Sequence, residues 1–330
     1  MEEIKMKTLF DTTRIGNMTL KNRFIRAAIG EATTNGQVNQ QILDLYENLA
    51  QGGVGTMITG FTLVDESEKI YPMMAFYDDS FTEGHKNLTN TVHKFDANII
   101  LQLVYVGSYV MGDATEVNVL APSVVENLNT KTIPKEISIE EIKNIQNKFA
   151  NCALRAKNAG YDGIEIHAAH GFLLSQFMTP YYNRRNDLYG GSTSNRARMI
   201  LETYEAIRKA VGDYPIWIKI NVADGIDGGV VFDDVLYLCN ELSKGGIDAI
   251  EISGNWATCK KQSAYFRIEA ETIASKNETA VILTGGNKDY NEMTDILRNT
   301  KISYFGMARA LAKYPNLINK FMKENNSENR

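Results

Sequence analysis

The chain has 330 residues, 44% hydrophobic and 23% charged, with a formal net charge of -5, a composition that supports a sizeable globular core. No basic run collects phosphates, which argues against a nucleic-acid partner or an anionic membrane surface, and no apolar run approaches the ~20 residues of a bilayer span. Three cysteines, Cys152, Cys239 and Cys259, are odd in number and far apart; they point to a reducing compartment, and an opening segment without the apolar stretch of a signal peptide makes the cytoplasm the expected location.

Residues 9–23 read as two short extended pieces around Ile15-Gly16-Asn17-Met18, and Gly-Asn between β-type runs favours a tight hairpin. Strand and helix patterns then alternate: strand 24–28, helix 40–51, strand 56–59, helix 81–95, strand 98–103. An irregular stretch, 105–135, follows. Ser138 with Glu141 three residues on forms a capping box, and Ile142, Ile145, Phe149, Cys152 and Ala156 share one helical face. The fourth strand, 163–167, feeds a long loop and a helix over 194–211. Strands are expected at 216–221, 249–253, 280–284 and 303–307, with helices at 233–245, 266–276, 290–298 and 316–323. Eight alternations without a linker indicate a single (β/α)8 barrel domain over 1–330. A doubly wound sheet is the runner-up, but no Gly-x-Gly-x-x-Gly follows the first strand.

Barrel chemistry sits at the carboxyl ends of the strands. Those ends carry Ala27 and Ala28, Gly60, Gln102, His167 and His170, Lys219, Ser253 and Gly254, Gly285 and Gly286, and Ala308 and Arg309. Thr284-Gly285-Gly286-Asn287 and Met307-Ala308-Arg309 supply small residues, backbone N–H groups and a cation on neighbouring strands, which suits a phosphate better than a mere tight turn. Lys219 stands in the apolar run Ile216-Trp217-Ile218-Lys219-Ile220, where an unpaired ammonium is costly. His167 and His170 can face one site. A metal there needs further ligands, yet His85 and His93 fall in a helical pattern elsewhere and Glu165 is expected to alternate away from His167, so no metal is assigned. Tyr105, Tyr109, Phe172, Tyr181 and Tyr182 are candidates to wall a pocket; Cys259, near Trp256, is given no role.

Residues 164–191 read I-E-I-H-A-A-H-G-F-L-L-S-Q-F-M-T-P-Y-Y-N-R-R-N-D-L-Y-G-G. His167, His170, Gly171, Leu173, Gln176, Phe177, Asn183, Arg185, Asp187, Tyr189, Gly190 and Gly191 match, at fixed spacing, the motif of the old yellow enzyme family, which this chain resembles from about residue 9 to 315. The resemblance implies a (β/α)8 TIM barrel whose N-terminal β-hairpin closes the barrel bottom, with FMN as cofactor and NAD(P)H as reductant. Hydride would pass through flavin N5 to an electron-poor enone, quinone or nitro compound, both ligands using one place in turn. It implies Gln102 at the flavin pyrimidine edge, Lys219 near N1 and C2=O, His167 and His170 on the acceptor's oxygen, and Ala27, Ala28, Gly60, Gly285, Gly286, Ala308 and Arg309 around the cofactor. The chain is expected to be the single-domain form, without the clustered cysteines of the larger members; homo-oligomers are left open.

Three stretches depart from the family pattern. Phe172 replaces the tyrosine taken as the proton donor, Tyr105-Val106-Gly107-Ser108 replaces H-A-G-R, and Gly30 stands where Cys or Thr is common. Tyr105, or another tyrosine from the third-strand loop, is then the candidate substitute acid. The rival readings are a flavin-free barrel lyase or isomerase using Lys219 as a Schiff base on a phosphorylated substrate, and an FMN-binding protein with little turnover.

Overall fold

The computed structural model describes residues 6–68, 72–110, 118–254 and 262–328. In chain order the strands are β1 (Thr13–Ile15), β2 (Met18–Leu20), β3 (Phe24–Arg26), β4 (Thr56–Ile58), β5 (Thr62–Leu63), β6 (Asn98–Val104), β7 (Leu120–Ala121), β8 (Lys135–Glu136), β9 (Gly163–Ala168), β10 (Ile216–Asn221), β11 (Ala249–Ser253), β12 (Ala280–Thr284) and β13 (Tyr304–Met307). The α-helices are α1 (Gln40–Gln51), α2 (Thr82–His93), α3 (Ile139–Asn158), α4 (Leu173–Met178), α5 (Thr193–Val211), α6 (Phe232–Lys244), α7 (Arg267–Lys276), α8 (Tyr290–Asn299), α9 (Arg309–Lys313) and α10 (Leu317–Glu328). Strands β3, β4, β6, β9, β10, β11, β12 and β13 pair in parallel, and β13 returns to β3, closing an eight-stranded barrel.

The period-2 alternation of strands sorts the residues onto two faces. Ile164 and Ile166 of β9 and Ile216, Ile218 and Ile220 of β10 point outward into the large core shared with the helices. Ile25, Ile58, Ile100, Trp217, Ala249 and Ile282 point inward and meet Ile15, Met18 and Leu20 of the β1–β2 hairpin, which therefore plugs the amino end. Gly16 adopts φ 53° at the first turn position, a conformation that favours glycine. Tyr304 Oη, bonded to Arg14 O at 3.1 Å and Thr13 Oγ1 at 3.2 Å, ties the eighth barrel strand to this plug.

Helix starts follow local chemistry. Ser138 Oγ accepts from Glu141 N at 3.2 Å while the Glu141 carboxylate accepts from Ser138 N at 2.7 Å, the reciprocal capping box read from the sequence. Asn39, Ser192 and Asp289 cap α1, α5 and α8 with side-chain oxygens. The irregular stretch contains the short β7–β8 pair, and the loop after β9 contains α4. Among the described residues no helix is long and apolar enough to cross a membrane.

Candidate active site

One step further along the inward faces, the apolar layer gives way to a polar one. Gln102 follows Ile100, Lys219 follows Trp217, Glu251 follows Ala249 and Thr284 follows Ile282. Together with His167, most of these residues border a cavity of about 1140 Å³ at the carboxyl ends of the strands. Ala27, Ala28, Gln102, His167, His170, Lys219, Gly285, Gly286, Ala308 and Arg309 all line it.

At the floor, Lys219 Nζ lies 2.5 Å from Glu251 Oε1, and both side chains are buried. Thr284 Oγ1 donates to the same oxygen at 2.7 Å, and Gln102 Nε2 donates to Glu165 Oε2 at 2.6 Å. Burial, then the neighbouring Glu251 charge, holds the Glu165 carboxyl well above the usual carboxylate range. Burial also works against the Glu251 charge, but the Lys219 ammonium and hydrogen bonds from Glu165, Lys219 and Thr284 keep its carboxyl below that range. Glu165 does not turn away from His167: residues two apart on a strand share a face, and it is Ile164 and Ile166 that alternate outward. Its carboxylate contacts Gln102 and Glu251 instead of forming a ligand set with the histidines.

His167 and His170 meet with ring centroids 5.0 Å apart and planes at 85°. Ala169 N donates to His167 Nδ1 at 3.2 Å, so the neutral imidazole carries its proton on Nε2. His170 takes φ 60°; its backbone N donates to Asn221 Oδ1 at 3.2 Å, and its Nε2 meets Ser253 Oγ at 2.9 Å. Burial first, then nearby positive charge, depresses both imidazoles, His170 to about 3. They are neutral at physiological pH. Phe172 packs edge-on against His167 at 4.9 Å, Phe61 at 5.2 Å and Tyr109 at 5.5 Å, forming an aromatic wall.

The opposite end is built from backbone and cations. Gly285 and Gly286 take φ 147° and 79°, and a Cβ on Gly286 would lie 2.7 Å from Gln262 O. Asn287 Nδ2 donates to Leu283 O at 2.6 Å and Gly306 O at 2.9 Å, tying this turn to β12 and β13. Its Oδ1 is buried without a partner among the described residues. Lys288, Arg309 and Lys313 line the same end.

Two expected site residues are displaced. Tyr105 is buried away from the cavity, where its phenol bonds Ser67 and burial, with the Glu68 charge, raises its proton affinity. The cause is Glu68: it accepts from Val106 N at 2.8 Å and Gly107 N at 3.1 Å, turning the chain so that Tyr109, not Tyr105, reaches the cavity wall. Burial pushes the Glu68 carboxyl up to about 8. Gly60 likewise faces another segment. Its N–H donates to Glu31 Oε2 and Tyr46 Oη, each at 3.1 Å, and a Cβ there would lie 2.7 Å from Ile29 O. Trp256 and Cys259 lie outside the described residues. Sequence reading missed Glu251 as the Lys219 counterion, although it stands two residues before Ser253 on the same inward face.

The model of the NADH:flavin oxidoreductase / NADH oxidase family matches residues 8–328. A metal reductase of Desulforamulus reducens is 33% identical over 326 residues, 96% of this chain and 49% of that protein, so the chain spans about half the length of that relative. An NADPH dehydrogenase of Clostridium acetobutylicum is 31% identical over 319 residues, 94% of this chain and 93% of that protein. Among solved structures, an old yellow enzyme homologue from Zymomonas mobilis superposes with a TM-score of 0.85 at 21% identity, covering 96% of this chain and 93% of that one.

Proposed function

This chain belongs to the NADH:flavin oxidoreductase / NADH oxidase family, and from that premise we propose that residues 1–330 form one FMN-binding domain that moves hydride from NAD(P)H to an electron-poor small molecule. The observation that carries this reading is a single cavity with glycines and cations at one end and a buried Gln102–Lys219 edge at its floor. The fit can be tested against the side chains themselves. Asn287 Oδ1 lacks a partner among the described residues, the glycine turn leaves room where a Cβ would collide, and the Gln102 amide, with one donor on Glu165, has a second donor and its oxygen to offer a ligand edge.

FMN, when bound, supplies a hydride carrier that serves reductant and acceptor in turn. Gly285, Gly286, Ala308 and Arg309 would hold its phosphate, with Ala27, Ala28, Gln102 and Lys219 along the ring. His167 lines the cavity with Nε2–H as the donor left to it, and His170, anchored by Ser253, lies perpendicular to it. A neutral donor in a buried site is suited to an acceptor oxygen on which negative charge builds. Phe172 has no proton to give, and Tyr105 is turned away. Tyr109 is then the tyrosine of this loop closest to the task, through its contact with Phe172. Quinone and nitro acceptors, protonated on oxygen by solvent, suit such a site better than enones, which need a proton on carbon. The Lys219–Glu251 pair argues against a Schiff-base aldolase, because imine formation needs a neutral amine.

The test is direct. Purified protein is expected to be yellow, with one noncovalent FMN per chain bleached anaerobically by NADH or NADPH. A colourless protein that takes up no FMN on reconstitution sinks the proposal.

A further inference from the structure

The cavity floor holds one more acid than Lys219 requires. Glu251 Oε1 is engaged by Lys219 Nζ at 2.5 Å and by Thr284 Oγ1 at 2.7 Å, while Glu165 Oε2 is engaged by Gln102 Nε2 at 2.6 Å. Each carboxyl group feels the other across the barrel interior. Their remaining oxygens, Glu165 Oε1 and Glu251 Oε2, have no hydrogen-bond partner among the described residues, and both residues are fully buried. Two carboxylates buried together would repel each other strongly. A single proton turns the repulsion into a short charge-assisted hydrogen bond and satisfies both oxygens. The same proton is placed on Glu165 by the asymmetry of the surroundings, since Lys219 and Thr284 stabilise charge on Glu251 and a lone amide faces Glu165.

We propose that Glu165 and Glu251 share one proton and act as a positioning pair whose single negative charge balances Lys219, thereby setting how strongly the cavity floor favours negative charge on a bound flavin. The inference rests on FMN occupying this cavity. An unbalanced ammonium at the floor would favour the reduced ring strongly; two carboxylates would oppose it. One carboxylate and one carboxylic acid give the intermediate field. Should either acid be replaced by its amide, the other remains as counterion, so the field changes fully only when both are replaced.

The experiment compares FMN-loaded wild type, Glu165→Gln, Glu251→Gln and the double variant by anaerobic spectroelectrochemical titration. The double variant is expected to stabilise reduced over oxidised cofactor at least tenfold, a rise of about 30 mV for a two-electron couple, and Glu165→Gln to change that ratio less than roughly threefold, ~15 mV on the same scale. A double variant at the wild-type potential, or a Glu165→Gln shift equal to that of the double variant, overturns the inference. A second measurement needs neither cofactor nor the double variant. The infrared difference spectrum of wild type minus Glu165→Gln is expected to contain the carbonyl stretch of a protonated, buried carboxylic acid, with Glu68 contributing equally to both samples. No such band overturns the inference. Wild type that takes up no FMN overturns the proposed function together with it; an FMN-loaded double variant of unchanged potential overturns this inference alone.

Discussion

At one end of the cavity Lys288, Arg309 and Lys313 stand on loops and a short helix, with Lys288, Arg309 and Lys313 all exposed, whereas at the floor Lys219 is 2% exposed and engaged by Glu251. The first set, with no counterion among the described residues, tolerates this because water screens it. The second cannot: an ion removed from water needs a partner, and the partner then needs hydrogen bonds of its own, here from Thr284 and Glu165. The outer end is thus built for a ligand whose charge comes and goes. The inner end is a fixed electrostatic environment, and disturbing it is expected to affect folding as well as chemistry.

The largest effect is expected from Lys219→Met, which leaves Glu251 charged and unpaired in the barrel. Unfolding in urea should show a loss of ~3–5 kcal/mol; a near-neutral result would mean that the floor is wetter or less charged than the geometry implies. Next, Phe172→Tyr supplies a proton donor directly beside His167, where the wall now presents a hydrocarbon ring. Positioned acids are typically worth ~10²–10⁴ in rate, so enone turnover should rise while cofactor reduction by NAD(P)H stays nearly constant, and transient kinetics separates the two halves.

A third test uses His85, a buried imidazole far from the cavity, stacked on Phe76 and bonded to Tyr161 Oη at 2.6 Å. Burial lowers it to about 4. The unfolded chain therefore binds this proton first, so stability is full above the ordinary value of 6.5 and falls as pH drops toward 4. At ~1.4 kcal/mol per unit this is roughly 3 kcal/mol. The pH dependence of unfolding should flatten in that window in His85→Gln; an unchanged slope would assign the acid sensitivity to other groups, His167 and His170 first.

Arg309→Ala should weaken FMN binding by about 1.5–3 kcal/mol, the scale of a charge-assisted hydrogen bond. Because the outer end is exposed, the loss should shrink in high salt; an affinity unchanged by the substitution would move the phosphate elsewhere. The smallest effect is expected from Ser253→Ala. Freed from Ser253, His170 should hold a phenolate ligand less well by ~1 kcal/mol, read from the charge-transfer band of the oxidised complex, with the FMN content unaltered.

The barrel strands were legible wherever an apolar run ended in a polar or small residue, as in Ile216–Asn221, Ala249–Ser253 and Ala280–Thr284. The plug was legible from Gly16-Asn17 and the family resemblance. Tyr105 was not, because its direction is decided by Glu68, a residue 38 positions before Val106 whose carboxylate captures the strand end. Gly60 stands off the cavity lining for a similar reason: its N–H is claimed by Tyr46 and Glu31 from other segments. Glu165 could have been placed by the same period-2 rule that sorted its neighbours, applied to a spacing of two rather than one. The Lys219–Glu251 pair needed the barrel's curvature, since adjacency of β10 and β11 sets which inward residues touch.

The plug that seals the barrel's amino end also dictates a schedule for synthesis. Ile15, Met18 and Leu20 leave the ribosome early, but among their partners Tyr304 arrives last, and its hydroxyl reaches Thr13 across 291 positions of sequence. Until β13 pairs with β3, those three apolar side chains have no complete lid beneath them, and the barrel has an open seam. Contacts so distant in sequence form slowly, and partly built forms with uncovered apolar surface are prone to associate. A nascent chain stalled before residue 304 should therefore depend on a holding chaperone, whereas one that has β13 in place can close its seam and bury the plug residues against Tyr304.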